Sequence, residues 1–243
     1  MTIETIAPQW PAPANVRAVC STRAGGVSVG PYASLNLATH VGDEPAAVVV
    51  NRQRLRIALD LPTEPCWLQQ THHAKLVEAR AYATPPEADA SYSRDRHGVC
   101  VILSADCLPI LLCDRQGTIV LAIHAGWRGL HSEIIARALE AFNTPRADWL
   151  AWIGPGISAA GYAVGADFAT KFVAKDPAYA ACFETRANTT FADLPALAAC
   201  QLRAAGVHSI ARYAGCTAAE SARFFSYRRD GTTGRFASLI WLD

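Results

Sequence analysis

The sequence lacks the features that mark membrane, secreted and nucleic-acid-binding proteins. No apolar run in its 243 residues is longer than a strand, and the amino terminus carries neither a basic segment nor a hydrophobic segment typical of a signal peptide. The formal net charge is only +1, and no mixture of basic and aromatic residues suggests contact with RNA or DNA. We therefore expect a cytoplasmic protein that binds neither membranes nor nucleic acids.

The Cys-x-x-Cys and His-x-His spacings of many metal sites are also missing. The eight cysteines form no Cys-x-x-Cys pair, the seven histidines form no His-x-His pair, and the single methionine is Met1. Scattered cysteines in a chain of this size indicate reduced thiols in a reducing compartment. A blue copper centre usually needs an axial Met, and a four-copper centre needs more histidines. These absences argue against both centres, although a single Cu²⁺ bound by His and Cys stays open.

What is present predicts one α/β domain over residues 1–243. Asp43 is expected to cap a helix that has Pro45 in its first turn. Gly206 is expected to follow the carboxyl end of another helix. The predicted helices are Leu130–Phe142, Phe168–Val173 and Leu194–Ala205, and the predicted strands are Val16–Thr22, Pro65–Thr71, Leu76–Ala79, Gly98–Leu103, Trp149–Ile153, Val207–Ala211 and Arg235–Leu242.

The stretch from Ser104 to Gly129 predicts a hairpin buried on both faces. Its two apolar runs are joined by Asp-Arg-Gln-Gly, a type I turn signature. A turn centred between residues 115 and 116 pairs residues whose numbers sum to 231, which places Cys107 opposite His124. Pro109 cannot donate a ladder hydrogen bond, so we expect an edge position or a bulge just after Cys107.

Cys107 and His124 therefore suit either a shared metal ion or a nucleophile–base pair. His72, at the end of a predicted strand, completes a His₂Cys set that leaves a fourth zinc position open, as catalytic sites do. An ion held there lowers the pKa of a bound water toward about 7. Asp106 and Asp89 are candidates for a carboxylate that moves protons without binding the ion.

Several motifs along the chain resemble those of the bacterial YfiH-like, or laccase-domain, family. The resemblance covers nearly the whole chain and rests on SADCLP, HAGWRG, STRAGG, SLNL, GPGI and FFSYRRDGTTGR. It implies a layered α/β/β/α sandwich related to the catalytic domain of cytotoxic necrotizing factor toxins, which use a Cys–His pair as a hydrolase. It also implies a mononuclear zinc site at His72, Cys107 and His124. Relatives usually have Gly after the first His, but this chain has His73, so either imidazole could be the ligand.

The resemblance implies purine nucleoside phosphorylase activity, with adenosine deaminase and methylthioadenosine phosphorylase activity in the same site. Arg23 and Arg128 are candidates for binding phosphate, since each lies beside glycines whose backbone can approach an anion. Ser34 and Asn36 are candidates for the ribose hydroxyls. A Cys–His hydrolase that edits peptidoglycan precursors and a copper-dependent polyphenol oxidase are the alternatives. We expect a monomer that takes small purine nucleosides and phosphate.

Overall fold

Two β-sheets stack face to face in the computed structural model, which describes residues 3–243. A four-stranded sheet has the order β1-β2-β13-β5, and a six-stranded sheet has the order β12-β8-β6-β7-β4-β3. A small third sheet has the order β10-β11-β9. The strands are β1 (Thr5–Ile6), β2 (Val16–Ser21), β3 (Leu76–Glu78), β4 (Ala90–Ser93), β5 (Cys100–Ser104), β6 (Leu108–Asp114), β7 (Val120–Ala125), β8 (Trp149–Ile153), β9 (Ala163–Val164), β10 (Phe183–Arg186), β11 (Thr189–Ala192), β12 (Ser209–Arg212) and β13 (Phe236–Leu242).

Helices cover the outer faces of the two large sheets. The helices are α1 (Pro45–Ala58), α2 (Trp127–His131), α3 (Ile134–Glu140), α4 (Ala166–Val173), α5 (Leu194–Ala204) and α6 (Tyr227–Asp230). On the four-stranded sheet the covering helix is α1, and on the six-stranded sheet the main ones are α3 and α5. Within residues 3–243, no helix is long and apolar enough to cross a membrane.

The buried residues form three apolar cores. Successive side chains of β6 and β7 point alternately into two of them. Ile110 and Ile123 belong to the core that includes α3 and α5, whereas Leu111 and Ala122 point toward the other sheet. A third core lies between the four-stranded sheet and α1 and includes Leu239 and Leu55. The order of layers is therefore α/β/β/α, which confirms the predicted fold class. The relationship to the toxin domain stays a prediction.

The central hairpin forms where the sequence predicts it, but its register differs by two residues. Gly117 N donates to Asp114 O at 3.1 Å, so the expected turn is present. The Asp114 carboxylate also accepts from the amides of Thr118 and Ile119 at 2.6 and 3.0 Å, which keeps those residues in the loop. Opposed residues consequently sum to 233, as in Cys113 with Val120. The predicted pairing of Cys107 with His124 is wrong.

Pro109, not Cys107, lies opposite His124. The expected bulge is absent, because β6 pairs with β7 without interruption from Leu108 to Cys113. Pro109 does lie at an edge, because the pairing of β6 with β8 begins only at Ile110. Pro109 is tolerated as the second residue of β6, beyond the end of β8, where its carbonyl accepts from Gly154 N at 2.8 Å.

Of the other predicted helices, strands and caps, some are confirmed and some are wrong. The strand Trp149–Ile153 has the predicted bounds, and Gly206 follows α5 with a φ of 84°. The predicted helix Leu130–Phe142 is interrupted at Glu133, whose φ of 60° separates α2 from α3. Pro65–Thr71 makes only isolated bridges and is not a strand. Glu44, and not Asp43, occupies the position before α1.

Candidate metal centre

Three side chains of types that bind metals converge where the hairpin opens. Cys107 directly precedes β6, His124 lies in β7, and His72 lies in the loop before β3. The donor atoms of these residues all lie within 4.8 Å of one another. The two-residue shift in register preserves this arrangement, because a shift by an even number leaves each side chain on its face of the sheet.

A buried carboxylate orients His124. The Nδ1 atom of His124 lies 2.8 Å from Oδ1 of Asp89, and both side chains are almost fully buried. Burial lowers the pKa of His124, but Cys107 and Asp89 outweigh it and raise that pKa to about 9. Burial raises the pKa of Asp89, but the hydrogen bond and charge of His124, together with the amides of the His72 loop, outweigh burial, so the pKa falls below its ordinary value.

The loop that carries His72 is held by the same carboxylate. Oδ2 of Asp89 accepts from the amides of His73 and Thr71 at 2.8 and 3.2 Å. His72 itself has a φ of 62°, and its ring centroid lies 4.8 Å from that of His124. Burial and the neighbouring His124 lower the pKa of His72 to about 4, so its imidazole is neutral at pH 7 and can bind a metal. In the part of the chain described, His73 lies outside the cluster.

The residues present fit a metal ion. A His₂Cys donor set suits zinc and also accepts copper. A Cβ atom built on Gly126 would lie 2.7 Å from Sγ of Cys107 and 3.1 Å from Nδ1 of His72, so glycine keeps the space beside these donors free. The Asp89–His124 pair is the outer hydrogen bond that metal-binding histidines usually make. The cluster therefore supports a metal site but does not distinguish between metals.

The cluster opens into a cleft of about 500 Å³. Asp106 and Arg128 are the predicted non-metal residues that line it. Oδ2 of Asp106 accepts from the amide of Arg228 at 2.6 Å, and Thr217 and Ser226 donate hydroxyl hydrogen bonds to the same carboxylate. Asp106 thus connects the cleft floor to the segment before β13.

Arg23, Ser34, Asn36 and Asp89 do not line this cleft. Nε and Nη1 of Arg23 donate to backbone carbonyls at 2.8 and 3.1 Å, and its guanidinium lies 4.5 Å from the Phe225 ring. Ser34 Oγ accepts from the amide of Gly26. Oδ1 of Asn36 accepts from the backbone of Ala38 and Arg235. In this structure, these contacts hold loops together.

Comparison with known proteins identifies the family of this chain. The family model described as multi-copper polyphenol oxidoreductase laccase matches residues 17–243. The chain belongs to this family. Curated members include proteins named purine nucleoside phosphorylase from Shigella flexneri and Pseudomonas aeruginosa, 46% and 44% identical, each with 98% of both chains covered. A crystal structure of a Neisseria meningitidis protein superposes with a TM-score of 0.94 at 45% identity, covering 98% of this chain and 99% of that one.

In this laccase-family chain, sequence reasoning missed several residues of the cleft. Arg228 and Arg235 reach it from the segments around α6 and β13, more than 100 residues from the metal cluster. Their motif, FFSYRRDGTTGR, is visible in the sequence, but nothing local indicates which of its arginines face the cleft. Further residues of the lining that were not predicted are His40, Gln70, Ser104, Trp127, Tyr162 and Tyr227.

Proposed function

We propose that this protein is a zinc-dependent purine nucleoside phosphorylase that also deaminates adenosine and cleaves methylthioadenosine. The observation that carries the proposal is the cluster of His72, Cys107 and His124 at the cleft, in a chain whose relatives are named purine nucleoside phosphorylase. The cleft also holds Trp127 and Tyr162, whose rings suit a purine base. A cleft of about 500 Å³ is within the range of small-molecule sites.

In this proposal, His72, Cys107 and His124 hold the zinc ion. Bound zinc supplies Lewis acidity and activates a water molecule at neutral pH. Asp89 is a positioning residue, because its bond to Nδ1 directs the other nitrogen of His124 toward Cys107. These roles leave the deamination proton to a different carboxylate.

Asp106 is that carboxylate in our proposal. It is the single acidic side chain in the cleft lining within residues 3–243. In deamination, water adds to C6 of adenine and ammonia leaves with the electron pair of the C6–N bond. Asp106 would pass a proton from the water to the departing nitrogen, as a separate carboxylate does in other zinc deaminases.

Product analysis tests the proposal directly. Purified protein is incubated with adenosine, with and without phosphate, before zinc removal, after zinc removal and after zinc is restored. We expect adenine and ribose 1-phosphate only with phosphate, inosine without it, and loss of both on chelation. The absence of any turnover of purine nucleosides by zinc-loaded protein would refute the proposal.

A Cys–His hydrolase is the second candidate, and one observation favours it. Cys107, His124 and Asp89 form a nucleophile–base–carboxylate series, in which Asp89 orients the base. Such an enzyme, acting on an amide such as a peptidoglycan precursor, would lose activity on thiol alkylation and keep it after zinc removal. The phosphorylase shows the opposite response to zinc removal, so the two candidates are separable with one preparation.

The oxidase in the family description receives less support from this chain. Within residues 3–243, one group of three metal donors is present, and it holds no methionine. We propose that the copper-loaded protein is at most a weak oxidase.

All eight cysteines are free thiols, which supports a reducing compartment such as the cytoplasm.

A further inference from the structure

We infer that Arg235, Arg228, Arg128 and Ser104 form the binding site for inorganic phosphate within the cleft. The inference rests on the proposed phosphorolysis and names the residues that would bind its second substrate. Four observations carry it: three arginines without ion pairs, a fixed Arg235 guanidinium, a buried hydroxyl without a partner, and an Asp106 carboxylate that forms no ion pair with the arginines.

Three guanidinium groups line the cleft without an acidic partner. No carboxylate in residues 3–243 forms an ion pair with Arg128, Arg228 or Arg235. Arg235 is also withdrawn from solvent, and burial lowers its pKa. Partial burial of a cation that has no ion-pair partner is costly, so Arg235 favours an anionic ligand, and the exposed Arg128 and Arg228 add positive charge beside it.

The guanidinium of Arg235 is held in a fixed position. Its Nη1 donates to the carbonyls of Thr233 and Gly234 at 2.9 and 3.0 Å. Its backbone amide donates to Oδ1 of Asn36 at 2.9 Å. In the described part of the chain, Nε and Nη2 make no hydrogen bond, which leaves an edge of the guanidinium for two parallel bonds to phosphate oxygens.

Aromatic rings support the other two arginines. Nη1 of Arg228 donates to Ala163 O at 2.7 Å, and its guanidinium lies 4.6 Å from the Tyr162 ring centroid. The guanidinium of Arg128 lies 4.5 Å from the ring centroid of Trp127. Both arginines therefore keep donors available beside the cleft while their guanidinium groups lie against aromatic rings.

Ser104 carries a buried hydroxyl without a partner in β5, the strand that pairs with β13. Ser104 is 1% exposed and lines the cleft, and its Oγ has no hydrogen-bond partner within residues 3–243. Ser104 pairs across the sheet with Phe236, the neighbour of Arg235. A buried hydroxyl without a partner is costly, and a phosphate oxygen would satisfy it.

The carboxylate of Asp106 makes its hydrogen bonds elsewhere and forms no ion pair with these three arginines. Both oxygens of Asp106 accept hydrogen bonds, Oδ1 from Thr217 and Oδ2 from Ser226 and the amide of Arg228.

In the phosphorolysis reaction, an oxygen of phosphate bonds to C1′ of the ribose while the C1′–N9 bond breaks. The electron pair leaves with the purine, which takes up a proton, and the products are the free base and ribose 1-phosphate.

Steady-state kinetics of zinc-loaded Arg235→Gln and Ser104→Ala test the site. Because Arg235→Gln removes charge-assisted hydrogen bonds to phosphate, we expect it to raise the phosphate KM about tenfold or more. The rate of adenosine deamination, measured without phosphate, should change less than about threefold. Ser104→Ala removes one hydroxyl from a site that tolerates an apolar replacement, so it keeps the test available if Arg235→Gln does not fold. The matched controls are Arg137→Gln on the exposed face of α3 and Ser91→Ala in β4, outside the cleft.

Direct binding of inorganic phosphate to the zinc-loaded protein separates this inference from the proposed function. Phosphate binding that is lost in Arg235→Gln supports the site even if no nucleoside is cleaved. Phosphorolysis with an unchanged phosphate KM in both variants overturns the site and leaves the proposed function standing. A phosphate KM that rises equally in Arg137→Gln overturns it as well, because net charge alone would then explain the effect.

Discussion

The Nδ1 atom of His124 lies 2.8 Å from Oδ1 of Asp89, and the same carboxylate binds the backbone amide of His73 through Oδ2. One buried side chain therefore fixes two of the three donors of the cluster, His124 directly and His72 through the loop. A carboxylate can do both because each of its oxygens accepts and neither donates. This dependence makes Asp89 the most informative position outside the donor set.

We predict that Asp89→Asn weakens zinc binding about 10–100-fold, the usual effect of removing a partner of a metal-binding histidine. If the amide nitrogen faces His73, two donors oppose each other. If it faces His124, the imidazole proton moves to Nε2, the nitrogen needed for the metal. Competition with a chromophoric chelator measures the affinity, and Asp167→Asn, in an exposed ion pair with Lys171, is the control. Equal zinc affinity in the two variants would contradict the prediction.

The pKa of His124 gives a prediction for the zinc-free protein. That pKa is about 9 in the folded state, above the ordinary 6.5, because Cys107 and Asp89 outweigh the effect of burial. A raised pKa stabilises the folded state fully below about pH 6.5 and loses this contribution as pH rises through about 9. Urea denaturation should therefore show stability falling over this range. In Asp89→Asn, the fall should be smaller, and identical slopes would refute the assignment.

Gly126→Ala is expected to damage the metal site without straining the backbone. Gly126 has a φ of −72° and a ψ of 170°, which alanine adopts freely, but its Cβ would lie 2.7 Å from Cys107 Sγ. We predict a loss of zinc affinity, measured by the same competition, with little change in the melting temperature of zinc-free protein. Gly165→Ala, where the Cβ would meet only the Asp167 side chain, is the control. Wild-type zinc affinity in Gly126→Ala would show that the site accommodates the methyl group.

The sequence predicts which segments are helices and strands, and which of their faces are buried, better than it predicts which strands pair and in what register. Alternation along the hairpin indicates correctly that both faces are buried, and it places Cys107 and His124 on one face. The register could not be read from the turn signature, because the side chain of Asp114 extends the loop to Ile119. Side-chain bonds of this kind compete with ladder hydrogen bonds and leave no periodic signal.

Contacts between distant segments were the least predictable part of the cleft. Arg235 reaches it because β13 pairs with β5 across more than 130 residues of chain, and a single sequence does not indicate that pairing. Asn36 was a candidate for ribose, since its motif is distinctive. In the structure, its amide binds the backbone of Arg235, so the distinctive motif connects the amino-terminal loop to the last strand.

The hairpin loop offers a final prediction, on stability. Asp114 is 3% exposed, and its side chain accepts from the amides of Thr118 and Ile119 and from the Thr118 hydroxyl. Asp114→Ala leaves these donors without a partner, so we expect the free energy of unfolding to fall by about 1–3 kcal/mol. Urea denaturation measures this, with exposed Gln116→Ala in the same loop as the control. Because the strands keep their faces and the metal cluster lies at the opposite end of the hairpin, zinc affinity should stay at the wild-type value. A matching loss of zinc affinity would mean that this loop sets the register that brings Cys107 to His124.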